Sequence, residues 1–218
     1  MSISLSIYDV FANLLPGLLY LFAIHELLRS VGGKGLDPAA FPGAGPSIVI
    51  LATGYLLGHL FNALTYNNWY LLFYDKRSVH NAHNNMESDN GLALQSLRVH
   101  YPEHGFDNFL PGDVDLLFNA IRVENKELAD RIEVSRVNAI MMRNVSFGLF
   151  ILGWVEIIHA VRGTSLMYGL AAIACLAASR LALVQTSKYY HWFYRDVFQA
   201  GALYGKSLQD VVTKTRGK

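Results

Sequence analysis

Charge is scarce in this chain. Asp, Glu, Lys and Arg together make up 16% of its 218 residues, against about 25% in an ordinary soluble domain. The net charge is +1, so the broad basic field that nucleic-acid binding requires is missing, and no direct nucleic-acid partner is expected. Cysteine is represented once, by Cys175 inside an apolar run. That excludes an intrachain disulfide framework and a cysteine-rich zinc site. Residues 1–8 hold no Lys or Arg and no small-x-small cleavage site follows the first apolar stretch, so that stretch is expected to persist rather than be removed as a signal peptide. A Walker loop, a dinucleotide fingerprint, a nucleophile elbow and a metalloprotease helix are all absent. There is no internal repeat of the kind that marks standard transporters.

What the chain has in abundance is apolar sequence, 52% of the total. A helix that spans the hydrocarbon layer needs about 20 mainly apolar residues, at 1.5 Å of rise per residue. Four segments qualify, at about 10–28, 47–66 (with helix continuing toward 74), 144–161 and 165–186. The fold class expected is therefore all-α: a polytopic membrane protein with four transmembrane helices and a helical cytoplasmic insert. Pro16-Gly17 falls inside the first span, where neighbouring helices can satisfy the backbone groups a proline frees. The Gly/Pro-rich stretch from Gly32 to Pro46 reads as an irregular connection, and Arg162-Gly163-Thr164 as a tight hairpin turn. The organisation expected is a first membrane hairpin over 1–74, an insert over 75–143, a second hairpin over 144–187, and an aromatic then basic tail over 188–218.

Positive charge sets the orientation. The insert carries eight Lys/Arg and the tail six, whereas the connection between spans one and two has Arg29 and Lys34 and the last turn only Arg162. Both termini and the insert are accordingly expected in the cytoplasm. Two aromatic clusters agree with that boundary: Trp69, Tyr70 and Tyr74 after span two, and Tyr190, Trp192 and Tyr194 with Arg195 after span four. Amphipathic rings favour the headgroup level, and the basic neighbours can reach phosphate. Within the insert, Asp113 after Pro111-Gly112 reads as a helix N-cap. From Asn125 no breaker occurs until Gly148, and Glu127/Arg131 and Glu133/Arg136 stand at helical spacing. Span three is therefore expected to begin near residue 125 and extend into the cytoplasm.

Two sets of residues could carry chemistry. In the insert, His80-x2-His83 and His100-x3-His104 place imidazoles about one helical turn apart, a spacing that can share a metal. The spacing resembles the histidine boxes of membrane desaturases, but Asn84-Asn85 stand where an adjacent second His is wanted. These residues read first as solvated or structural histidines, and no metal or cofactor is expected. Within the spans, His25 and Glu26 end span one and Glu156-x2-His159 share one face of span three. Ionisable groups at such depth are costly and usually face a bundle interior or an aqueous cavity. They are candidates for a polar intramembrane cluster, with headgroup contact as the plainer reading. Small residues in span four, among them Gly169, Ala174 and Ala178, suit close helix–helix contact within or between copies.

Tyr8-Asp9-Val10-Phe11 before Leu15-Pro16-Gly17, Glu133…Arg136…Arg143-Asn144 entering span three, and Tyr194-Arg195-Asp196-Val197 after span four form a layout. It resembles small multi-span inner-membrane proteins of bacterial anti-phage loci, such as accessory membrane components of CRISPR systems and the membrane subunit of Kiwa-type defence. The resemblance implies an oligomeric, non-enzymatic component that senses or perturbs the bilayer and docks a cytosolic protein through its insert. The alternatives are a histidine-box metalloenzyme acting on lipid and a small ion or proton channel.

Overall fold

The computed structural model describes residues 7–33, 45–65, 99, 111–163 and 165–216. The expectations for Trp69, Tyr70, Tyr74, His80, His83, His100 and His104 lie outside these residues. Among the described residues five helices follow in order: α1 (Ile7–Ser30), α2 (Gly45–Leu64), α3 (Pro111–Glu124), α4 (Lys126–Val161) and α5 (Leu166–Arg216). Among the described residues there is no strand, and four helices, all but α3, are long and apolar enough to cross a membrane.

Local sequence explains the helix ends. At the end of α1, Gly32 adopts φ 85°. The Gly33 amide bonds Leu28 O at 2.9 Å and the Gly32 amide bonds Arg29 O at 3.1 Å. This crossed pair satisfies the last carbonyls, and it favours glycine because only glycine takes that φ without cost. Gly163, at φ 77°, ends α4 in the same conformation. The Ser165 hydroxyl then accepts from the Met167 amide at 3.1 Å, which caps α5. Asn125 caps α4, its Oδ1 accepting from the Leu128 amide at 3.0 Å. Two boundaries differ from expectation. α3 begins at Pro111, ahead of Asp113, because a proline in a first turn gives up an amide that has no helical partner there. The aromatic segment and the basic tail continue α5 as one helix to Arg216. No proline interrupts it, and an interior glycine lowers helix preference only modestly.

The chain divides into two compact units, one made of Met1–Tyr74 and Val137–Thr186, the other of Asp75–Arg136 and Ser187–Lys218. α4 and α5 each contribute to both.

In the first unit the helices meet through small residues. A Cβ on Gly17 would stand 1.6 Å from Gly54 O, and one on Gly58 would stand 1.9 Å from Asn13 O. α1 and α2 therefore touch backbone to backbone, and any side chain at these positions would force them apart. α4 and α5 are joined by a reciprocal pair: Ser146 Oγ donates to Ser179 O at 2.8 Å and Ser179 Oγ to Ser146 O at 2.7 Å. Gly153 lies against Ala172 and Leu176. The exterior is apolar. Phe11, Phe22, Leu56, Leu60, Ile173 and Leu181 are all at least half exposed, the pattern of a surface solvated by lipid rather than water.

The second unit is built the other way round. Val114, Leu117, Phe118 and Ile121 of α3 pack with Ala129 and Ile132 of α4 and with Phe193, Val197 and Phe198 of α5 in one buried cluster. Charge lies around it. Arg136 pairs with Asp115 at 3.3 Å and its guanidinium sits over the Phe193 ring, Arg122 pairs with Glu133, and Arg131 pairs with Glu127 at 2.6 Å.

Candidate functional site

Two polar layers occur in the first unit, about 18 Å apart along α4 at 1.5 Å per residue. One centres on Asn144, where α1, α2 and α4 meet. The Tyr20 hydroxyl donates to Asn144 O at 2.7 Å, across 124 residues of sequence. The Thr65 hydroxyl reaches Asn144 Oδ1 at 2.6 Å. Arg143 donates through Nη2 to Asn62 Oδ1 at 2.6 Å, and Asn144 Nδ2 approaches the same oxygen at 3.3 Å. Tyr20, Thr65, Arg143 and Asn144 are all buried, Arg143 only 2% exposed. Tyr20 also stacks obliquely on Phe61 at 4.4 Å. Tyr20, Asn62, Thr65, Arg143 and Asn144 each make a hydrogen bond across helices, which fixes the register of three helices at once.

The other layer contains the ionisable residues singled out in the sequence. Glu26 is its centre. One carboxylate oxygen lies 3.4 Å from Arg29 Nη1 and 3.8 Å from His25 Nε2, and the other lies 3.9 Å from His159 Nε2 on α4. The His159 ring stacks on Tyr168 of α5 at 5.0 Å. Glu156 stands one turn before His159 on the same helix face. Its Oε2 is buried without a hydrogen-bond partner among the described residues, and the charges acting on it are those of His159 and Glu26. The structure thus brings Glu26 together with His25 and His159, and places Glu156 within the electrostatic reach of that group. Separations of 3.8–3.9 Å exceed hydrogen-bonding distance. Among the described residues no group of three or more His, Cys, Asp or Glu is arranged to hold a metal.

Of the other candidates, Tyr190 is buried while Trp192 and Arg195 are exposed, and Arg195 bonds Asp196 at 2.9 and 3.1 Å. In span four the contact with α4 falls on Ala172 and Ser179. Gly169 has nothing within 4 Å of a built Cβ, Ala174 is exposed and Ala178 half-buried. The Asn144 layer was the feature least visible in the sequence. Its signals were Arg143-Asn144 inside a helix that becomes apolar, Asn62 and Thr65 at i, i+3 near the end of an apolar helix, and the Gly54-x3-Gly58 spacing that brings α1 onto α2.

No family model matches the chain, and neither does any curated protein or solved structure. Fold and surface alone define its class: a multi-pass, all-α membrane protein with four helices able to span. Anything narrower rests on the physical reading of the two units.

Proposed function

We propose that this protein is an oligomeric, non-enzymatic component of a bacterial inner membrane that senses or perturbs the bilayer in a defence system and docks a cytosolic protein on its α3–α4–α5 unit. In this reading both termini lie in the cytoplasm, as the Lys/Arg distribution favours. One observation carries the proposal: α4 and α5 each pass from a unit with an apolar exterior to a unit with an apolar core. A change in the bilayer acting on those helices has a direct covalent path to a water-facing surface. That surface exposes Val123 and Leu203 by 73% and 76%, apolar positions suited to a partner. The test is expression in a phage-sensitive bacterium together with the neighbouring genes. Phage plating should fall, and Val123→Glu with Leu203→Glu should abolish protection at unchanged membrane abundance. Protection that survives those substitutions overturns the docking role, and unchanged plating by the wild-type chain overturns the defence role.

A second reading, a proton or small-ion path, is favoured by the buried Glu156 oxygen, without a hydrogen-bond partner among the described residues, beside Glu26 and His159. In proteoliposomes it predicts dissipation of an imposed pH gradient that Glu156→Gln removes.

A further inference from the structure

Two basic side chains lie well inside the spans on the exterior of the first unit, among the described residues. His59 of α2 and Arg180 of α5 are both exposed. Arg180 has no hydrogen-bond or ion-pair partner among the described residues, and His59 has only an edge-on ring contact with Tyr55 at 4.6 Å. Arg180 lies about 21 Å along α5 from Leu166, and His59 about 21 Å along α2 from Gly45. α2 and α5 follow α1 and α4 as the returning arms of their hairpins and run in the same direction, so the two residues share one depth.

Bare hydrocarbon is a poor solvent for a guanidinium, which in membrane helices faces protein or water. Long basic side chains can escape by reaching for headgroups, but the direction is wrong here. Cα–Cβ bonds tilt toward a helix N-terminus, so Arg180 and His59 lean away from the nearer, C-terminal ends of their spans. The surfaces around them also suit close approach. On α5 the stripe through Arg180 is Ile173, Ala177 and Val184, and on α2 the stripe through His59 is Ala52, Leu56 and Ala63, all exposed. Alanines at such positions let helices come near one another.

We infer that these two stripes are the two sides of one interface between copies of this chain: α5 of one copy packs along α2 of the next, placing Arg180 against the Tyr55–His59 ring pair. Charge decides between this head-to-tail arrangement and a symmetric one. An α5–α5 contact would bring two guanidiniums together, whereas the α2 face supplies aromatic rings for cation–π contact and, in neutral imidazole, an acceptor nitrogen. A head-to-tail contact closes into a ring when its rotation permits. The inference rests on the oligomeric part of the proposed function and adds the surface through which assembly occurs.

Cross-linking in native membranes tests it. Leu56 and Ala177 each stand three residues before their polar neighbour and so face one another in the predicted packing. In a Cys175→Ser background, chains bearing Leu56→Cys and Ala177→Cys are given different tags and co-expressed under mild oxidation. The expected product is a disulfide-linked dimer carrying both tags, with neither chain forming a dimer when expressed alone. Dimers carrying a single tag, or no cross-linked product, overturn the head-to-tail face. Arg180→Leu should weaken mixed-tag cross-linking several-fold and shift the detergent-solubilised protein to smaller species. Unchanged or stronger cross-linking by that variant means that lipid covers Arg180, and overturns the inference. Light scattering on the same material separates the failures. A discrete oligomer without mixed-tag dimers leaves self-association standing and removes this face, whereas a monomer removes both.

Discussion

The two units solve opposite solvation problems with the same two helices. In the 187–216 part of α5, Phe193, Val197 and Phe198 turn inward and Lys188 and Arg195 outward. In the 166–186 part, Ile173 and Leu181 turn outward, and the inward face holds Ala172, Ser179, Ala182, Leu183 and Thr186. Water drives large apolar side chains together, so one unit gains its cohesion from a phenylalanine- and isoleucine-rich centre. Lipid supplies no such drive, so the other relies on close backbone approach at Gly17, Gly54 and Gly58 and on hydrogen bonds between helices. Small and polar residues at the helix contacts and large apolar ones on the exterior thus mark the first unit, whereas the second gathers its large apolar side chains inside.

The comparison can be broken most severely in the core of the second unit. Phe198→Ala removes a fully buried ring and should destabilise by about 4 kcal/mol in denaturant unfolding. Phe22→Ala, the same chemistry on the half-exposed surface of α1, should change stability in mild detergent by about 0.5 kcal/mol or less. Equal effects would mean that the two surfaces see the same solvent.

Polar groups sharpen the contrast in the other direction. Asn144→Leu removes two buried side-chain bonds, to Thr65 and to Asn62, at an expected cost of about 2 kcal/mol. Combined with Thr65→Val, the loss should fall short of additivity by about 1 kcal/mol, because the two side chains share a hydrogen bond. In the second unit Arg131→Ala breaks a pair whose members are more than 70% exposed, and it should cost about 0.5 kcal/mol or less. Glu156→Leu should leave stability within about 1 kcal/mol, since the carboxylate it removes has an oxygen without a hydrogen-bond partner among the described residues. If the proton-path reading holds, the same change abolishes gradient dissipation.

Apolar run length and the absence of breakers made the helices legible. The four spans and the start of α4 beside Asn125 follow from residue counting, and the Glu26–His159 proximity follows from depth along two helices of one bundle. Asn62 reads as a buried polar residue of span two, but its long-range partners, and the residues that act by being small, were not legible. Nothing local distinguishes Gly17, which touches α2, from Gly169, which has open space around it. Arg143 near the start of an apolar segment reads as a topology marker, and only the meeting of α1, α2 and α4 shows it buried against Asn62. The continuity of α5 through its aromatic segment was obscured by the change in composition at the unit boundary, although helix propensity carries through it.

The most direct test of the account is the side of the membrane on which each unit is reached. In a Cys175→Ser background, Val123→Cys reports on the second unit and Val161→Cys on the turn between α4 and α5, both at exposed positions. A membrane-impermeant maleimide applied to intact spheroplasts should label Val161→Cys at once and Val123→Cys only after permeabilisation. Labelling of Val123→Cys in intact spheroplasts, or labelling of both positions from the same side, would contradict a four-span protein with its apolar-cored unit in the cytoplasm.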